Sequence, residues 1–302
     1  MADLLSCRNA FRNPERDLMM TIQHTLTRLS VCLLLSACGE ASSSDGACAL
    51  TVNTTASATS NPSGCTVLSR DTTSCQAARK AMGLSGVWLQ YSCRVTLTSN
   101  GSGSVTATAD GQPDYKSFYF AANNACYEAW PQGFRNPNTL AAQSYSVSFP
   151  GTPNTSATSM AGTAVVGLAV NGVPIFGNFA APGDDIYRES MTFDKCGAHP
   201  ENTGKYHYHS EPAAITYDDS HLVGMMRDGY PIYGRRDQDG SLPTLDVYGG
   251  HTAITADSLG AAVYHYHVNK QISTTPGTAG QSQWFLTTGS WRGTPAPCTT
   301  CR

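Results

Sequence analysis

Short runs in which apolar and polar residues alternate recur along the chain, and they predict β-strands rather than long amphipathic helices. Two such runs, residues 94–98 and 105–109, flank Asn100-Gly101-Ser102-Gly103, which indicates a β-hairpin. Further elements are predicted as strands at residues 87–91, 144–149 and 163–170 and as a short helix at residues 73–81. Strands this short and closely spaced predict a mainly β domain, sandwich- or barrel-like, with few short helices.

Three sequence signatures occur twice in the same order, about 57 residues apart. Asn-Gly-Val-Pro-Ile-Phe-Gly at 171–177 returns as Asp-Gly-Tyr-Pro-Ile-Tyr-Gly at 228–234. A turn with glycine and histidine and then the tetrapeptide Tyr-His-Tyr-His follow each copy. One pair could arise by chance, but three pairs in order indicate an internal duplication. We therefore predict repeat units at about 171–209 and 228–267, related by a pseudo-twofold axis.

The tetrapeptide Tyr-His-Tyr-His predicts a strand that presents two imidazoles on one face and two tyrosines on the other, because residues i and i+2 of a strand share a face. Two imidazoles on a rigid strand begin a metal site. Each unit also has a histidine after its glycine turn, which is the candidate for a third ligand. The predicted metal ligands are His199, His207, His209, His251, His265 and His267.

Imidazoles, with carboxylates nearby, favour a transition-metal ion such as Zn, Cu or Fe over Ca or Mg. Asp194 and Asp246 each lie five residues before a candidate histidine. We expect each carboxylate to accept the spare ring N–H of a ligating histidine, although a role as ligand or general base is open as well. The candidate catalytic residues are Asp194, Asp246, Tyr208 and Tyr266. Each unit could form its own three-histidine site, or the two strands could share one.

The charge of the chain excludes one class of partner. The net charge is −3 and only 14% of the residues are charged, so the sequence predicts no nucleic-acid partner. A metal ion and a membrane are the predicted partners, and the sequence identifies no protein partner.

The N-terminal region predicts export. Residues 29–35 form an apolar run too short to span a bilayer, and Leu35-Ser36-Ala37-Cys38 resembles a bacterial lipobox. The resemblance implies cleavage before Cys38 and a lipid on its thiol, with Met19 or Met20 as the true start. We predict a signal region at 1–37 and a lipidated Ser/Thr-rich tether at 38–64. The mature protein would then be anchored to the cell envelope, in the periplasm or at the cell surface.

The cysteines support the same compartment. Eleven are encoded, and eight remain once those of the signal region and the lipidated Cys38 are set aside. An even number in an exported chain predicts up to four disulfides, whose pairing the sequence leaves open. We assign Cys196 to a disulfide rather than to the metal site. Cys298 and Cys301 have CxxC spacing without a βαβ context, which favours a structural disulfide over a redox centre.

The doubled tetrapeptide, the glycine-histidine turns and the Asn-Gly-x-Pro-Ile element resemble those of the YHYH-domain proteins. The resemblance covers roughly residues 85 to 295 and implies no established activity. After the signal region and tether, we expect residues 65–110 to form a Cys-containing strand and hairpin region packed on the main domain, and residues 111–302 to form the YHYH domain.

Three functions remain open from the sequence. The lipoprotein could be a metal-dependent enzyme of unknown reaction, since an open three-histidine site activates bound water or binds O2. It could instead bind or buffer a metal at the surface. In the third hypothesis it is a structural or adhesive lipoprotein whose histidines form a polar network. Whether the protein is an enzyme is left undecided at this stage.

Overall fold

The computed structural model describes residues 64, 65, 68, 70–130 and 133–301. The predicted signal region, the predicted lipidation site Cys38 and the tether as far as residue 63 lie outside those residues. Within the described residues, every helix is too short or too polar to cross a membrane.

The described residues form short strands with few helices, as the sequence predicts. The helices are α1 (Gln76–Ala81), α2 (Ile186–Glu189) and two 3-10 helices at Gly86–Leu89 and Ser190–Thr192. The strands are β1 (Thr96–Ser99), β2 (Val105–Ala109), β3 (Tyr145–Phe149), β4 (Thr158–Ser159), β5 (Val165–Ala169), β6 (Pro174–Phe176), β7 (Ala198–Pro200), β8 (Tyr206–Tyr208), β9 (Leu222–Met226), β10 (Pro231–Tyr233), β11 (Gly250–Ile254), β12 (Ala262–His267), β13 (Asn269–Ile272), β14 (Ser282–Phe285) and β15 (Ser290–Trp291).

The duplicated units build one eight-stranded sheet whose strand order is β11-β12-β10-β9-β5-β6-β8-β7. Strands β5 to β8 of the first unit correspond to β9 to β12 of the second. The strand order is therefore symmetric about the pair β5 and β9 at the middle of the sheet. At the centre, antiparallel β5 and β9 pair Gly167 with Met226, Leu168 with Met225 and Ala169 with Gly224. Leu168 and Met225 are equivalent residues, so the predicted pseudo-twofold axis passes between them.

The same two pairings recur in each unit. The Pro-Ile strand lies parallel to the Tyr-His-Tyr-His strand, with Ile175 opposite Tyr208 in the first unit and Ile232 opposite Tyr266 in the second. The strand after the glycine turn pairs antiparallel with the other edge of the Tyr-His-Tyr-His strand. Each Tyr-His-Tyr-His segment is therefore held between two strands of its own unit, which fixes the direction of its side chains.

One face of the large sheet packs against a three-stranded sheet in the order β1-β2-β3. Apolar residues of both sheets share a core, among them Leu97, Val147 and Phe149 from the small sheet and Leu168 and Met225 from the large one. The arrangement is that of a sandwich. In the described residues the large sheet is open, with β11 and β7 at its two edges, so the barrel alternative does not apply.

The other face of the large sheet carries the tyrosines of the Tyr-His-Tyr-His segments. They pack into a second core with Tyr115, Phe118 and Trp291, among other residues. The histidines thus lie on the same face as the small sheet, but towards the two ends of the large one. This placement follows from the alternation of side chains along a strand.

Two local predictions have definite outcomes. The strand predicted at residues 87–91 is wrong, because residues Gly86–Leu89 form a 3-10 helix and Tyr91 turns inward to donate a hydrogen bond to the carbonyl of Leu168 at 2.9 Å. The helix predicted to end near Gly83 is present as α1, and Gly83 has φ +78°.

Three disulfides join Cys65 to Cys196, Cys75 to Cys93 and Cys298 to Cys301. Cys126 is disulfide-bonded as well. The assignment of Cys196 to a disulfide is confirmed. Disulfides of this number are typical of exported or extracellular proteins.

Candidate metal centres

In the first unit, three imidazoles converge from two paired strands. His199 on β7 lies directly opposite His207 on β8, and His209 follows β8 on the same side as His207. One nitrogen of each ring lies within 4.8 Å of one nitrogen of the other two. The Nε2 atoms of His207 and His209 are 2.9 Å apart. All three side chains are buried.

The second unit repeats this geometry. His251 on β11 lies opposite His265 on β12, and His267 is two residues further along β12. The Nε2 atoms of His267 and His251 are 3.2 Å apart. His265 and His267 are buried, whereas His251 is about one-fifth exposed, with a side-chain exposure of 20%. The sequence left open one shared site or two, and the structure forms two clusters.

The Nδ1 atoms of the tetrapeptide histidines are held by backbone carbonyls. His207 Nδ1 lies 2.8 Å from the carbonyl oxygen of Lys205, and His265 Nδ1 lies 2.9 Å from that of Val263. His209 Nδ1 lies 2.5 Å from the oxygen of Gly177 in the first unit. The equivalent His267 Nδ1 lies 2.7 Å from the oxygen of Gly234 in the second.

A carbonyl oxygen accepts but never donates, so each of these Nδ1 atoms carries the proton. The Nε2 atom of each of these rings is then unprotonated, and its lone pair points into the cluster. His199 follows the same rule by another route. Its Nδ1 lies 2.7 Å from Thr192 Oγ1 and 3.3 Å from Asn136 Nδ2. The Asn136 amide donates at shorter range to the carbonyl of Pro200, and the Thr192 hydroxyl donates to the carbonyl of Glu189, so the shorter contact is one in which the ring donates to Thr192.

Burial keeps these imidazoles neutral. It lowers the pKa of His209 and of His267 to about 4, and it lowers the pKa of His199, His207 and His265 as well. Neutral imidazoles whose lone pairs converge repel one another unless a cation lies between them. The Nε2 atom of His199 has no hydrogen-bond partner within the described part of the chain. The donor set therefore fits a metal ion.

Aromatic rings fix the first cluster from its sides. Phe176 stacks on His207 with ring centroids 3.9 Å apart, and Phe193 stacks on His209 at 5.7 Å. Phe193 also meets the ring of His199 edge-on at 4.8 Å. Rings packed in this way keep the three Nε2 atoms in place without an ion, which is the preorganisation that tight binding requires.

Each cluster has a carboxylate beside it that the sequence analysis missed. Asp237 Oδ1 lies 3.0, 3.6 and 3.4 Å from the Nε2 atoms of His251, His265 and His267, and it belongs to the second cluster. Glu189 Oε1 lies 3.5 Å from His199 Nε2 in the first. Burial, with the nearby charge of Asp184, raises the pKa of Glu189 to about 7. Neither residue lies in a repeated signature, so no pattern pointed to them.

The two aspartates predicted to orient the histidines do something else. The carboxylate of Asp194 accepts hydrogen bonds from the hydroxyls of Tyr206 and Ser117, and Asp246 accepts from Tyr264 at 3.0 Å. Neither accepts a ring N–H: backbone carbonyls take that role for the tetrapeptide histidines, and Thr192 takes it for His199. Burial raises the pKa of Asp194 to about 6, even though its hydrogen bonds with Ser117 and Tyr206 lower it.

The tyrosines offered as catalytic candidates also lie on the far face of the sheet. Tyr208 accepts a hydrogen bond from Asn171 Nδ2 at 3.0 Å, and Tyr266 donates to Asp228 Oδ2 at 2.5 Å. Asn171 and Asp228 are equivalent residues of the two units. These contacts place both hydroxyls in the tyrosine core, away from the imidazoles.

Together, the fold and the clusters define a duplicated β-sheet domain with one three-histidine cluster in each repeat unit. Residues 144–242 match the family model described as YHYH protein, so the resemblance is confirmed for that part of the chain. The matched segment contains the first cluster and Asp237, whereas His251, His265 and His267 lie beyond it. No curated protein and no solved structure matches the chain.

Proposed function

We propose that this is an exported metal-binding protein that holds one transition-metal ion in each repeat unit. The ligands are the Nε2 atoms of His199, His207 and His209 in the first unit. Those of the second unit are the Nε2 atoms of His251, His265 and His267 with the carboxylate of Asp237. Imidazole and carboxylate donors suit Zn, Cu and Fe.

One observation carries the proposal: in both units three imidazoles meet with one nitrogen of each within 4.8 Å of the others, and the Nδ1 atom of every tetrapeptide histidine is held by a backbone carbonyl. Nitrogens bound at about 2.1 Å to one ion lie at such separations. The hypothesis of a polar network required imidazoles that point apart or are fully hydrogen-bonded. In the first unit, the convergence of the Nε2 atoms and the Nε2 of His199, which has no hydrogen-bond partner among the described residues, count against it.

The test is elemental analysis of the protein purified without a histidine tag. We expect two ions per chain in the wild type. His207→Ala with His209→Ala should leave one ion, and so should His265→Ala with His267→Ala. His221→Ala is the matched control, since His221 is exposed and pairs with Asp219 outside both clusters. Metal content that does not change in a folded double variant would contradict the assignment to that unit.

The lipid anchor is a separate part of the proposal. It is supported by the lipobox-like segment that ends at Cys38 and by the disulfides, which suit an exported chain. Cys38→Ser should move the protein from the membrane fraction to the soluble fraction of the envelope and abolish labelling with a radioactive fatty acid. Equal labelling of variant and wild type would rule out Cys38 as the lipid attachment site.

A further inference from the structure

The two clusters differ in how a carboxylate approaches them. In the second unit Asp237 stands three residues after Gly234, and its Oδ1 is within 3.6 Å of all three Nε2 atoms. The equivalent position in the first unit is three residues after Gly177 and is occupied by Ala180. The first cluster of mutually close ligand atoms therefore contains three histidines and no oxygen.

A different segment brings a carboxylate to the first cluster. Glu189 ends α2, whose first turn is capped by the carboxylate of Asp185, which accepts from the amide of Tyr187 at 2.7 Å. The hydroxyl of Thr192 donates a hydrogen bond to the carbonyl of Glu189 and contacts Nδ1 of His199, so it joins the end of α2 to the cluster. The Glu189 carboxylate reaches only the His199 side of the cluster, with Oε1 at 3.5 Å from Nε2.

Two buried polar atoms at this point lack hydrogen-bond partners in the described residues. They are Nε2 of His199, a residue that is 2% exposed, and Oε2 of Glu189. A buried polar atom without a hydrogen bond destabilises the folded protein. Both are satisfied if an ion binds Nε2 and a donor bound to that ion meets the carboxylate.

We propose that the first site keeps an open coordination position that faces Glu189, while Asp237 closes the second site as a fourth ligand. The open position takes water or another small exchangeable ligand, and a water molecule there donates a hydrogen bond to Glu189. The inference rests on the proposed function, since a coordination position exists only where an ion binds. An open position suits the ion of the first unit to binding a reactant, whereas a closed set of four protein ligands suits the second unit to retaining its ion.

Charge supports the division. A divalent ion held by neutral imidazoles in a buried site needs a nearby negative charge. Asp237 supplies that charge by contact in the second unit. In the first unit Glu189 supplies it from a short distance, where it can also accept a hydrogen bond.

The test isolates each site and probes it with azide. His265→Ala with His267→Ala leaves the first site, and His207→Ala with His209→Ala leaves the second. Each variant is loaded with Co2+, and visible absorption is followed during an azide titration. We expect a saturable spectral change in the first site and none in the second. A change in the second site only, in both or in neither overturns the inference.

The stoichiometry of Co2+ is measured before azide is added, so the two levels of the proposal fail separately. A folded His265→Ala, His267→Ala variant that binds no Co2+ contradicts the proposed function in the first unit, and the inference with it. A variant that binds Co2+ but ignores azide contradicts the inference alone.

Two substitutions then test the carboxylates. In the second-site background, Asp237→Ala should create an azide response where none existed. In the first-site background, Glu189→Gln should keep Co2+ with an affinity about 10–100-fold lower, the usual effect of losing a partner outside the ligand set. Its azide affinity should rise because a negative charge has gone. Asp239→Asn, at an exposed turn, is the control. Unchanged Co2+ and azide binding in Glu189→Gln overturns its role.

Discussion

At the scale of single residues, each tetrapeptide histidine divides its two nitrogens between the backbone and the cluster. The Nδ1 proton goes to a carbonyl of the same strand or of the Pro-Ile-aromatic-Gly segment, so the backbone selects the tautomer. On the other face, three of the four tyrosine hydroxyls donate to a carboxylate, whereas that of Tyr208 accepts from the amide of Asn171. Asp194 is 6% exposed, whereas its counterpart Asp246 is 33% exposed at its side chain.

This difference predicts unequal effects of removing the two equivalent tyrosine hydroxyls. Tyr206→Phe deprives a buried carboxylate of a donor and should lower the free energy of unfolding by about 1.5–3 kcal/mol. Tyr264→Phe should cost about 0.5–1.5 kcal/mol, since water can replace the lost donor at Asp246. Urea unfolding measures both, with metal content expected to stay at the wild-type level. Equal losses would contradict the argument from burial.

The residue scale also shows where the sequence stops being informative. The six histidines could be predicted because alternation along a strand and the repeat both act locally, whereas the choice between one shared cluster and one cluster per unit needed the order of strands in the sheet. Asp237 and Glu189 could not, because both lie in segments between strands where the two units have diverged. Asp194 and Asp246 were predicted to orient histidines, but their carboxylates accept from turn amides and tyrosine hydroxyls, which the sequence could not show.

At the scale of elements, a turn places the third histidine of each cluster. Asp194 accepts from the amides of Cys196 and Ala198, and Asp246 accepts in the same way from Tyr248 and Gly250. A glycine at positive φ then reverses the chain in both units, at +92° for Gly197 and +85° for Gly249. The repeated aspartate and glycine are therefore explained by turn geometry rather than by metal chemistry.

Alanine at the two turn glycines should separate conformational strain from steric conflict. Both substitutions place a side chain at positive φ, which costs about 1–2 kcal/mol. At Gly197 the new Cβ would also lie 2.5 Å from the carbonyl oxygen of Glu211, whereas at Gly249 it meets only the side chains of Thr288 and Asn269. Gly197→Ala should therefore lose more stability than Gly249→Ala.

Thermal unfolding of the two glycine variants provides the measurement. We also expect Gly197→Ala to weaken metal binding in the first unit only, because the turn that it distorts leads directly into His199. If Gly197→Ala lost no more stability than Gly249→Ala, the backbone of Glu211 would be able to move away from the new Cβ without destabilising the fold.

At the scale of the whole molecule, the pseudo-twofold axis sets the distance between the two clusters. Four strands lie between β8 and β12 in the sheet, which makes five spacings of about 4.8 Å between neighbouring strands. The two tetrapeptides are therefore about 24 Å apart. No ligand is shared across that span, and each cluster is built by one unit. The duplication thus gave two copies of a ligand set, and the segments between strands then made them different.

The same burial that keeps the imidazoles neutral makes the metal-free protein sensitive to acid. For His209, the pKa is about 4 in the folded protein, below the usual 6.5, so the unfolded chain binds a proton more readily between these values. The resulting contribution to stability is present above pH 6.5 and is lost as the pH falls towards 4. For one such group the loss approaches about 1.4 kcal/mol per pH unit.

In chelator-treated protein, the unfolding free energy of the wild type should therefore fall more steeply between pH 6.5 and 5 than that of His209→Gln. His221→Gln is a control of opposite sign, because the hydrogen bond that the exposed His221 donates to the carboxylate of Asp219 raises the pKa of His221. The stability that this pair contributes is present below pH 6.5 and is lost as the pH rises through the folded pKa, so His221→Gln should steepen the acid loss. Urea unfolding across this pH range measures all three slopes. A His209→Gln slope equal to that of the wild type would mean that His209 is protonated as readily in the folded protein as in the unfolded chain.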